Sequence, residues 1–410
     1  MVDARFQLAR CECRKLGEIG GGLLFTYVEL FAGIGGFRSA LDGLGGICTF
    51  ASEIDKFATI SYRAMYDGAP ELCGDITKID ARDVPEHDLL VGGFPCQAFS
   101  VAGQRKGFED TRGTLFFEIA RIARAKRPKL MLLENVKGLL SHNKGRTLDV
   151  MIRTLNDIGY AVDFAVLNSK FYGVPQSRER VFIVCSRDVE TENWDVKGTG
   201  VLARAKRRLQ ARGAHTFNFD WPKNSEVTTR LRDILELEVD EKYYLSEDKT
   251  LKLLSDSVRV VGRIDGVNGH DICKRVYSTE SVAPTIPTGS SGNTTPKIAE
   301  FTVIQKTHST TTTVKFDETG TLQAARLDKI PQVVTESTPQ CRIRKLTPRE
   351  CWRLQGFTDD QFDKAQSAGV SDSQLYKQAG NAVTVNVTRA IIQRLVPMIK
   401  NHKEVTEWAV

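Results

Sequence analysis

A cysteine directly behind a proline, at the end of a glycine-punctuated apolar run, offers the sharpest chemistry in this chain. It is Cys96, in Gly92-Gly93-Phe94-Pro95-Cys96-Gln97. Such a loop exposes the thiol to a cleft, and its thiolate is a strong nucleophile once nearby positive charge lowers its pKa. Inert burial is the default for any single cysteine; the loop context argues against it. Glu134, in Glu134-Asn135-Val136, follows an all-apolar run. A carboxyl there can stay protonated and donate a proton; a capping or salt-bridging glutamate is the plainer alternative. Gln176, Arg178 and Arg180 precede another apolar run, and alone they read as a surface salt-bridge cluster.

The segment Phe31-Ala32-Gly33-Ile34-Gly35-Gly36-Phe37 is a strand–turn–helix glycine loop. Glycines let a backbone approach a ligand and adopt positive φ, although a purely structural tight turn has the same composition. The adjacent Gly35 and Gly36 do not fit the dinucleotide fingerprint. Two acids sharpen the reading. Glu53 ends the second predicted strand and Asp75, in Gly74-Asp75-Ile76-Thr77, follows the third. Acids in such places accept hydrogen bonds from ribose hydroxyls. Either one alone reads as a solvated surface charge; both in register favour a nucleoside-containing cofactor.

The elements that position these residues alternate. Tyr27–Phe31, Ile47–Ala51, Asp88–Val91, Lys129–Leu133 and Arg180–Cys185 read as strands. Phe37–Leu44, Phe57–Met65 and the stripe from Leu115 to Ala123 read as helices. This alternation predicts an α/β, mostly parallel sheet with helices on both faces, which binds ligands beyond the carboxyl ends of its strands. The glycine loop, Glu53, Cys96 and Glu134 all fall at that edge. Residues 190–340 differ, with weak helical period, short β-like runs and many Ser, Thr, Gly and Pro from Ser278 to Thr313. They read as a second, loop-rich domain with a faint internal echo between Ala283–Ile298 and Gly320–Val333, for which chance similarity is an equal explanation. Thr347, Pro348 and Glu350 have the spacing of a helix start, and Val383–Met398 reads as a final amphipathic helix.

The bulk numbers permit this organisation. The chain has 410 residues, 41% hydrophobic and 26% charged, enough for two or three domains. A net charge of +6 is compatible with a polyanionic partner and equally with an ordinary enzyme. Nine scattered cysteines fit reduced thiols better than a disulfide framework. Cys11 and Cys13 lack the further ligands of a zinc site, so no metal is expected. No apolar run approaches the roughly 18 residues of a membrane span. Residues 1–25 read as a poorly ordered extension without signal-peptide character.

The ordered series FAGIGGF, Glu53, GDIT, GGFPCQ, ENV, QSRERVF, RKLTPRECWRLQGF and YKQAGNAVTV resembles the DNA (cytosine-5) methyltransferases, most closely the bacterial restriction–modification type. The match covers residues 26–186 and 342–396, with a weaker likeness over 190–340. It implies a Rossmann-like S-adenosylmethionine-dependent methyltransferase sheet with a smaller, mostly β target-recognition domain. The implied division is 26–190 and 376–400 for the catalytic and cofactor-binding domain, 191–345 for target recognition and 346–375 for a hinge region.

The resemblance assigns roles. Cys96 adds to C6 of cytosine. Glu134 contacts N3 and the amino group. Arg180, and with it Arg178, stabilises the developing anion and orients the base. The base that removes the C5 proton stays open, a water being one choice. Phe31, Gly33, Gly35, Glu53, Asp75, Ile76 and Pro95 match cofactor-binding positions, and Asn381 and Val383 match residues closing that pocket. Ile54 stands where many relatives carry an aromatic residue that stacks on adenine. The target carbon is inaccessible in a duplex, so the cytosine must flip out. Pro95–Gly113 is expected to be a lid, bringing Gln97, Ser100, Gln104, Arg105 and Lys106 toward double-stranded DNA. Sequence choice is expected from residues 190–340 in the major groove. Thr285-Ile286 and Thr321-Leu322 both resemble the family's Thr-Leu pair, and Arg275 resembles a base-contacting arginine. The basic run Arg204 to Arg212 is either a phosphate-holding stripe or a solvated helix face. Pairing with a restriction endonuclease, a monomeric state and a cytoplasmic, DNA-associated location complete the expectation. The competing readings are an RNA cytosine methyltransferase, a DNA-binding protein without catalysis and a nicotinamide dehydrogenase. The region 190–340, the intact Cys96, Glu134 and Arg180, and the Gly35-Gly36 spacing disfavour them in turn.

Overall fold

The computed structural model describes residues 25–66, 70, 72–95, 115–245, 251–253, 260–264, 274–286, 295–306, 311–315 and 337–407. They fall into two units, one of residues up to 167, 179–223 and 383 onward, the other of 168–178 and 224–382. The boundary expected at 190 thus lies inside the first unit, and the stretch expected as a hinge, 346–375, lies inside the second.

The first unit is built on a seven-stranded sheet. Its strands are β1 (Phe25–Leu30), β2 (Gly46–Ser52), β3 (Leu72–Cys73), β4 (Leu89–Gly93), β5 (Leu130–Val136), β6 (Ala161–Asn168) and β7 (Glu179–Ser186). The order is β3-β2-β1-β4-β5-β7-β6. The pairs β1–β2, β2–β3, β1–β4 and β4–β5 are parallel, whereas β7 runs antiparallel to β5. Chain order reverses between β1 and β4, the switch point beyond whose carboxyl ends such sheets bind ligands. The near-continuous apolar character of these strands follows from their burial: Val28, Leu30, Leu89, Leu90, Val91 and Met131 to Leu133 are all inaccessible.

Helices α1 (Gly36–Leu41), α2 (Lys56–Met65), α3 (Leu115–Lys126), α4 (Arg146–Asp157) and α5 (Val201–Gln210) belong to this unit. Asp55 caps α2 by accepting from the amides of Phe57 and Ala58. The helix expected over 37–44 ends at Leu41 and continues as a 3-10 turn, Asp42–Leu44. Strand β6 and helix α4 are additional to the elements predicted from sequence. In α4 the residues Leu148, Met151, Ile152 and Leu155 are fully buried, at helical spacing. The basic run proves to be α5 and the turn behind it, and its cations are engaged within the unit. Lys206 pairs with Asp163, and Arg208 and Arg212 pair with Asp149. Arg204 donates to the carbonyl of Thr199, and Arg207 to those of Val196 and Gly198. These contacts brace α5 against its own unit, while Arg204, Arg207 and Arg212 keep exposed surface.

The second unit carries β8 (Leu251–Leu253), β9 (Val260–Ile264), β10 (Arg275–Tyr277), β11 (Lys297–Lys306), β12 (Thr311–Lys315) and β13 (Ser337–Lys345). They form one sheet in the order β12-β11-β10-β9-β8, with β13 also paired to β11. Val276, Ala299 and Ile343 form its buried cluster. Helices α6 (Pro348–Arg353), α7 (Asp359–Ser367) and α8 (Asp372–Asn381) follow. The predicted helix start is present as a capping box between Thr347 and Glu350. The Glu350 carboxylate also takes both ends of the fully buried Arg344 guanidinium at 2.8 Å. The last helix, α9 (Val385–Glu407), returns the chain to the first unit.

Candidate active site

The loop between β1 and α1 bends sharply. Phe31, Gly33 and Gly35 all lie in the left-handed region, at φ of 57°, 56° and 77°. Phe31 adopts it without being glycine, an uncommon conformation that marks functional loops. The loop is tied to the end of β2 by the Gly33 amide, which donates to Oε2 of Glu53 at 2.7 Å. Oε1 of the same carboxylate accepts from the Asp55 amide at 2.7 Å. Glu53 thereby fixes the glycine loop relative to the start of α2, and each oxygen retains acceptor capacity. Beside it Ile54 is 73% exposed, an apolar side chain left bare at the strand end.

Asp75 caps the 3-10 turn Ile76–Lys78, accepting from the amide and hydroxyl of Thr77. Those two bonds hold its carboxyl below the usual range. The side chain of Ile76 is buried in the core, so only its backbone is available to a ligand. This residue's expected role narrows accordingly.

At the ends of β4 and β5 the register pairs Gly93 with Glu134. Oε2 of Glu134 lies 3.3 Å from the place a β-carbon on Gly93 would take. Arg180 opposes Val136 in the antiparallel β5–β7 pair, and its Nε reaches diagonally to Oε1 of Glu134 at 3.1 Å. Both side chains are nearly buried, at 13% and 10% exposure. Burial pulls the Arg180 pKa down and the Glu134 charge opposes the pull. Guanidinium stays protonated regardless. Asn135 is a functional candidate beyond those predicted from sequence. Its side-chain amide donates to the Phe94 carbonyl at 2.8 Å, and its oxygen accepts from the Val136 amide. The end of β5 thus holds the backbone two residues ahead of Cys96. Its alternation with Glu134 is the signal that was available, since successive residues of a strand face opposite ways.

Val383 closes the same region from the last sequence block. Its carbonyl oxygen lies 2.5 Å from where a β-carbon on Gly36 would stand, and its Cγ2 lies 3.2 Å from the equivalent point on Gly93. One valine thus packs against two glycines 57 positions apart, and its backbone leaves no room for a β-carbon at Gly36.

Other expected residues sit elsewhere or are not described. Pro95 is exposed at the end of the β4 segment. Cys96, Gln97, Ser100, Gln104, Arg105, Lys106 and Thr321 lie outside the described residues, as does the rest of the expected lid through Gly113. Arg178 belongs to the second unit, where it is 2% exposed and donates to the carbonyls of Gly380 and Ala382. These bonds make it a clamp on the end of α8. In the same unit Asn381 is exposed at the last position of α8. The Thr285 hydroxyl donates to the Ser177 carbonyl and Ile286 is buried. Arg275 opens β10, half-buried, opposite the exposed Arg263.

A glycine turn, an acid-lined strand end and a buried carboxylate–guanidinium pair along one edge of an α/β sheet define a class of ligand-binding, group-transferring enzymes. A family model described as C-5 cytosine-specific DNA methylase matches residues 25–397. The chain belongs to that family and is a DNA (cytosine-5-)-methyltransferase that uses a methyl donor. Among its relatives is the orphan methyltransferase M.SPBetaI of Bacillus phage SPbeta, 42% identical, with 90% of this chain and 97% of the relative covered. The type II methyltransferase M.HhaI of Haemophilus parahaemolyticus is 34% identical, with 89% and 92% covered. The fold is shared with the Dnmt2 methyltransferase of S. pombe, at TM-score 0.60 and 19% identity, covering 92% of this chain and 99% of that one. It is shared also with the methyltransferase EhMeth of Entamoeba histolytica, at TM-score 0.58 and 15% identity, covering 92% and 99%. Among the described residues no helix is long and apolar enough to cross a membrane, and no cluster of metal-binding side chains occurs.

Proposed function

We propose that this enzyme methylates C5 of a cytosine flipped out of a specific double-stranded DNA sequence, through a covalent bond between Cys96 and C6. The observation that carries the reading is the Glu134–Arg180 pair, 3.1 Å apart and nearly buried, beside the strand that delivers Pro95 and Cys96. A carboxyl and a guanidinium held together and nearly out of water are suited to a pyrimidine ring that gains negative charge.

The residues of the glycine edge fit S-adenosylmethionine. Positive-φ backbone at Phe31, Gly33 and Gly35 permits close approach, the carboxylates of Glu53 and Asp75 suit ribose hydroxyls, and the bare Ile54 suits an adenine face. Bound there, S-adenosylmethionine supplies an electrophilic sulfonium methyl. The chain's own residues do the rest. The Cys96 thiolate forms a bond to C6, the C5–C6 π pair shifts into the C4–C5 bond and the C4–N3 π pair moves onto N3. The Glu134 carboxyl gives N3 a proton, so that charge is offset as sulfur adds, and recovers it when the thiolate leaves. Arg180 fixes the Glu134 carboxylate. C5, now enamine-like, takes the methyl group, and the pair of the broken sulfur–methyl bond stays on the donor's sulfur. Loss of the C5 proton to a base then re-forms the double bond and expels the thiolate.

Cys96→Ala is expected to abolish methylation while duplex binding survives. DNA carrying 5-fluorocytosine at the target is expected to trap a covalent complex, because fluorine does not leave as a proton does. Full activity of the variant, or no trapped species in the presence of donor, would refute the nucleophile. Bisulfite sequencing of exposed DNA identifies the base, position and context; methylation of RNA alone in a parallel assay would overturn the substrate.

A further inference from the structure

Beneath the glycine loop lies a polar cluster that the proposed mechanism does not use. Arg38, in α1, is 7% exposed, and its Nη1 donates to the Tyr62 hydroxyl at 3.1 Å while its Nε reaches Asp42 at 3.1 Å. The Tyr62 hydroxyl donates in turn to Glu29, which is fully buried in β1. The Arg38 guanidinium also lies 4.6 Å from the centre of the Tyr66 ring, within cation–π range. Tyr66, just past the end of α2, points its hydroxyl into the loop. It lies 2.8 Å from the Gly35 carbonyl and 2.6 Å from Oγ of Ser39. Its ring fills the space beside Gly35: a β-carbon there would stand 2.5 Å from Cε2 of Tyr66.

We propose that Tyr66 is a positioning residue for the methyl donor, its hydroxyl holding the Gly35 carbonyl so that the positive-φ loop keeps the shape the donor binds. This rests on the reading of that loop as the donor site. The Gly35 carbonyl already accepts the Ser39 amide of α1, so the tyrosine is a second donor that ties the helix start to the far end of α2. The phenol has one proton, which goes to the carbonyl, while the Ser39 hydroxyl donates to the phenol oxygen. The Arg38 guanidinium packs against the same ring. Three left-handed residues within five positions persist only where the surroundings hold them, and a bond from outside the β1–α1 loop contributes to that hold.

The test compares full-length wild type, Tyr66→Phe and Ser39→Ala. Titration calorimetry with S-adenosylmethionine gives donor affinity, steady-state kinetics give kcat and both KM values, and urea unfolding reports folding. Tyr66→Phe keeps the ring and loses the bond, so donor affinity is expected to fall about tenfold, with the donor KM rising in step. The kcat at saturating donor and the KM for DNA are expected to stay within about twofold. Ser39→Ala removes the phenol's other partner, and a smaller loss of donor affinity in the same direction is expected. It keeps the question open to test if the tyrosine variant fails to fold. Unchanged donor affinity in Tyr66→Phe, alongside wild-type binding, would overturn the role of Tyr66 alone. So would a lower unfolding midpoint with donor affinity intact, or a parallel loss for both substrates. Failure of the wild type to bind S-adenosylmethionine would instead overturn the reading of the loop.

Discussion

The guanidinium of Arg180 meets the carboxylate of Glu134 at 3.1 Å although the two residues are not opposite each other in their strands. Glu134 faces Phe182, and Arg180 faces Val136. The pair is a diagonal across an antiparallel ladder, a geometry long side chains can span. Arg180→Ala leaves a nearly buried carboxylate without this partner. A fall in kcat of about a hundredfold to a thousandfold is expected, with about 3 kcal/mol less folding stability. Arg180→Lys, with a point charge in place of a planar fork, is expected to recover part of the stability and little of the rate. Single-turnover methylation and urea titration separate the two effects; wild-type single-turnover rates in Arg180→Ala would exclude a role in the chemical step.

Asn135 holds the Phe94 carbonyl just ahead of the nucleophile. Asn135→Asp keeps an acceptor for the Val136 amide and loses the donor to Phe94. A displaced nucleophile loop is expected to lower kcat about a hundredfold, with donor affinity unchanged. Trapping on 5-fluorocytosine DNA measures the rate directly; an undiminished trapping rate would show that the loop holds its position without Asn135.

Gly36→Ala drives a β-carbon to 2.5 Å from the Val383 carbonyl oxygen. Backbone must shift to relieve it, so a loss of about 2–3 kcal/mol is expected. Urea unfolding checks it, and a midpoint equal to wild type would show that the Val383 segment yields at little cost.

Glu29 is fully buried, and desolvation pushes its pKa up to about 8, with Arg38 and Tyr62 acting against the shift. The folded state therefore holds a proton that the unfolded chain loses near its ordinary value. The stabilising contribution is complete below about pH 4.5, declines as pH rises and is gone above about pH 8. Glu29→Gln removes this titration, so the variant's stability is expected to fall less than wild type's between pH 5 and pH 9, a range chosen to bracket roughly the two pKa values. Thermal melts across that range read the difference, and parallel curves for the two proteins would contradict it.

Much of the first unit was legible along the chain. Parallel strands buried on both faces read as apolar runs, and the turns behind them carry glycine, proline and single acids, so β1, β2, β4 and β5 and the residues at their ends stand out in linear order. The helix start at Thr347 was equally legible, because a capping box is a local arrangement of four residues.

What the linear order leaves undecided is partnership, because a residue's type states what it can bond to and not which distant neighbour the fold supplies. Two arginines two positions apart look alike in QSRERVF, yet Arg180 meets a carboxylate in the first unit while Arg178 clamps backbone carbonyls in the second. The basic run names no partners in linear order, yet Asp149 and Asp163, from α4 and β6, pair with three of its cations. Gly36 acquires its reason from Val383, and Gly93 from Val383 and Glu134 together. Composition and spacing determined the chemistry this chain carries; tertiary packing, which alone sets distances between residues hundreds of positions apart, decided which groups are held together to perform it.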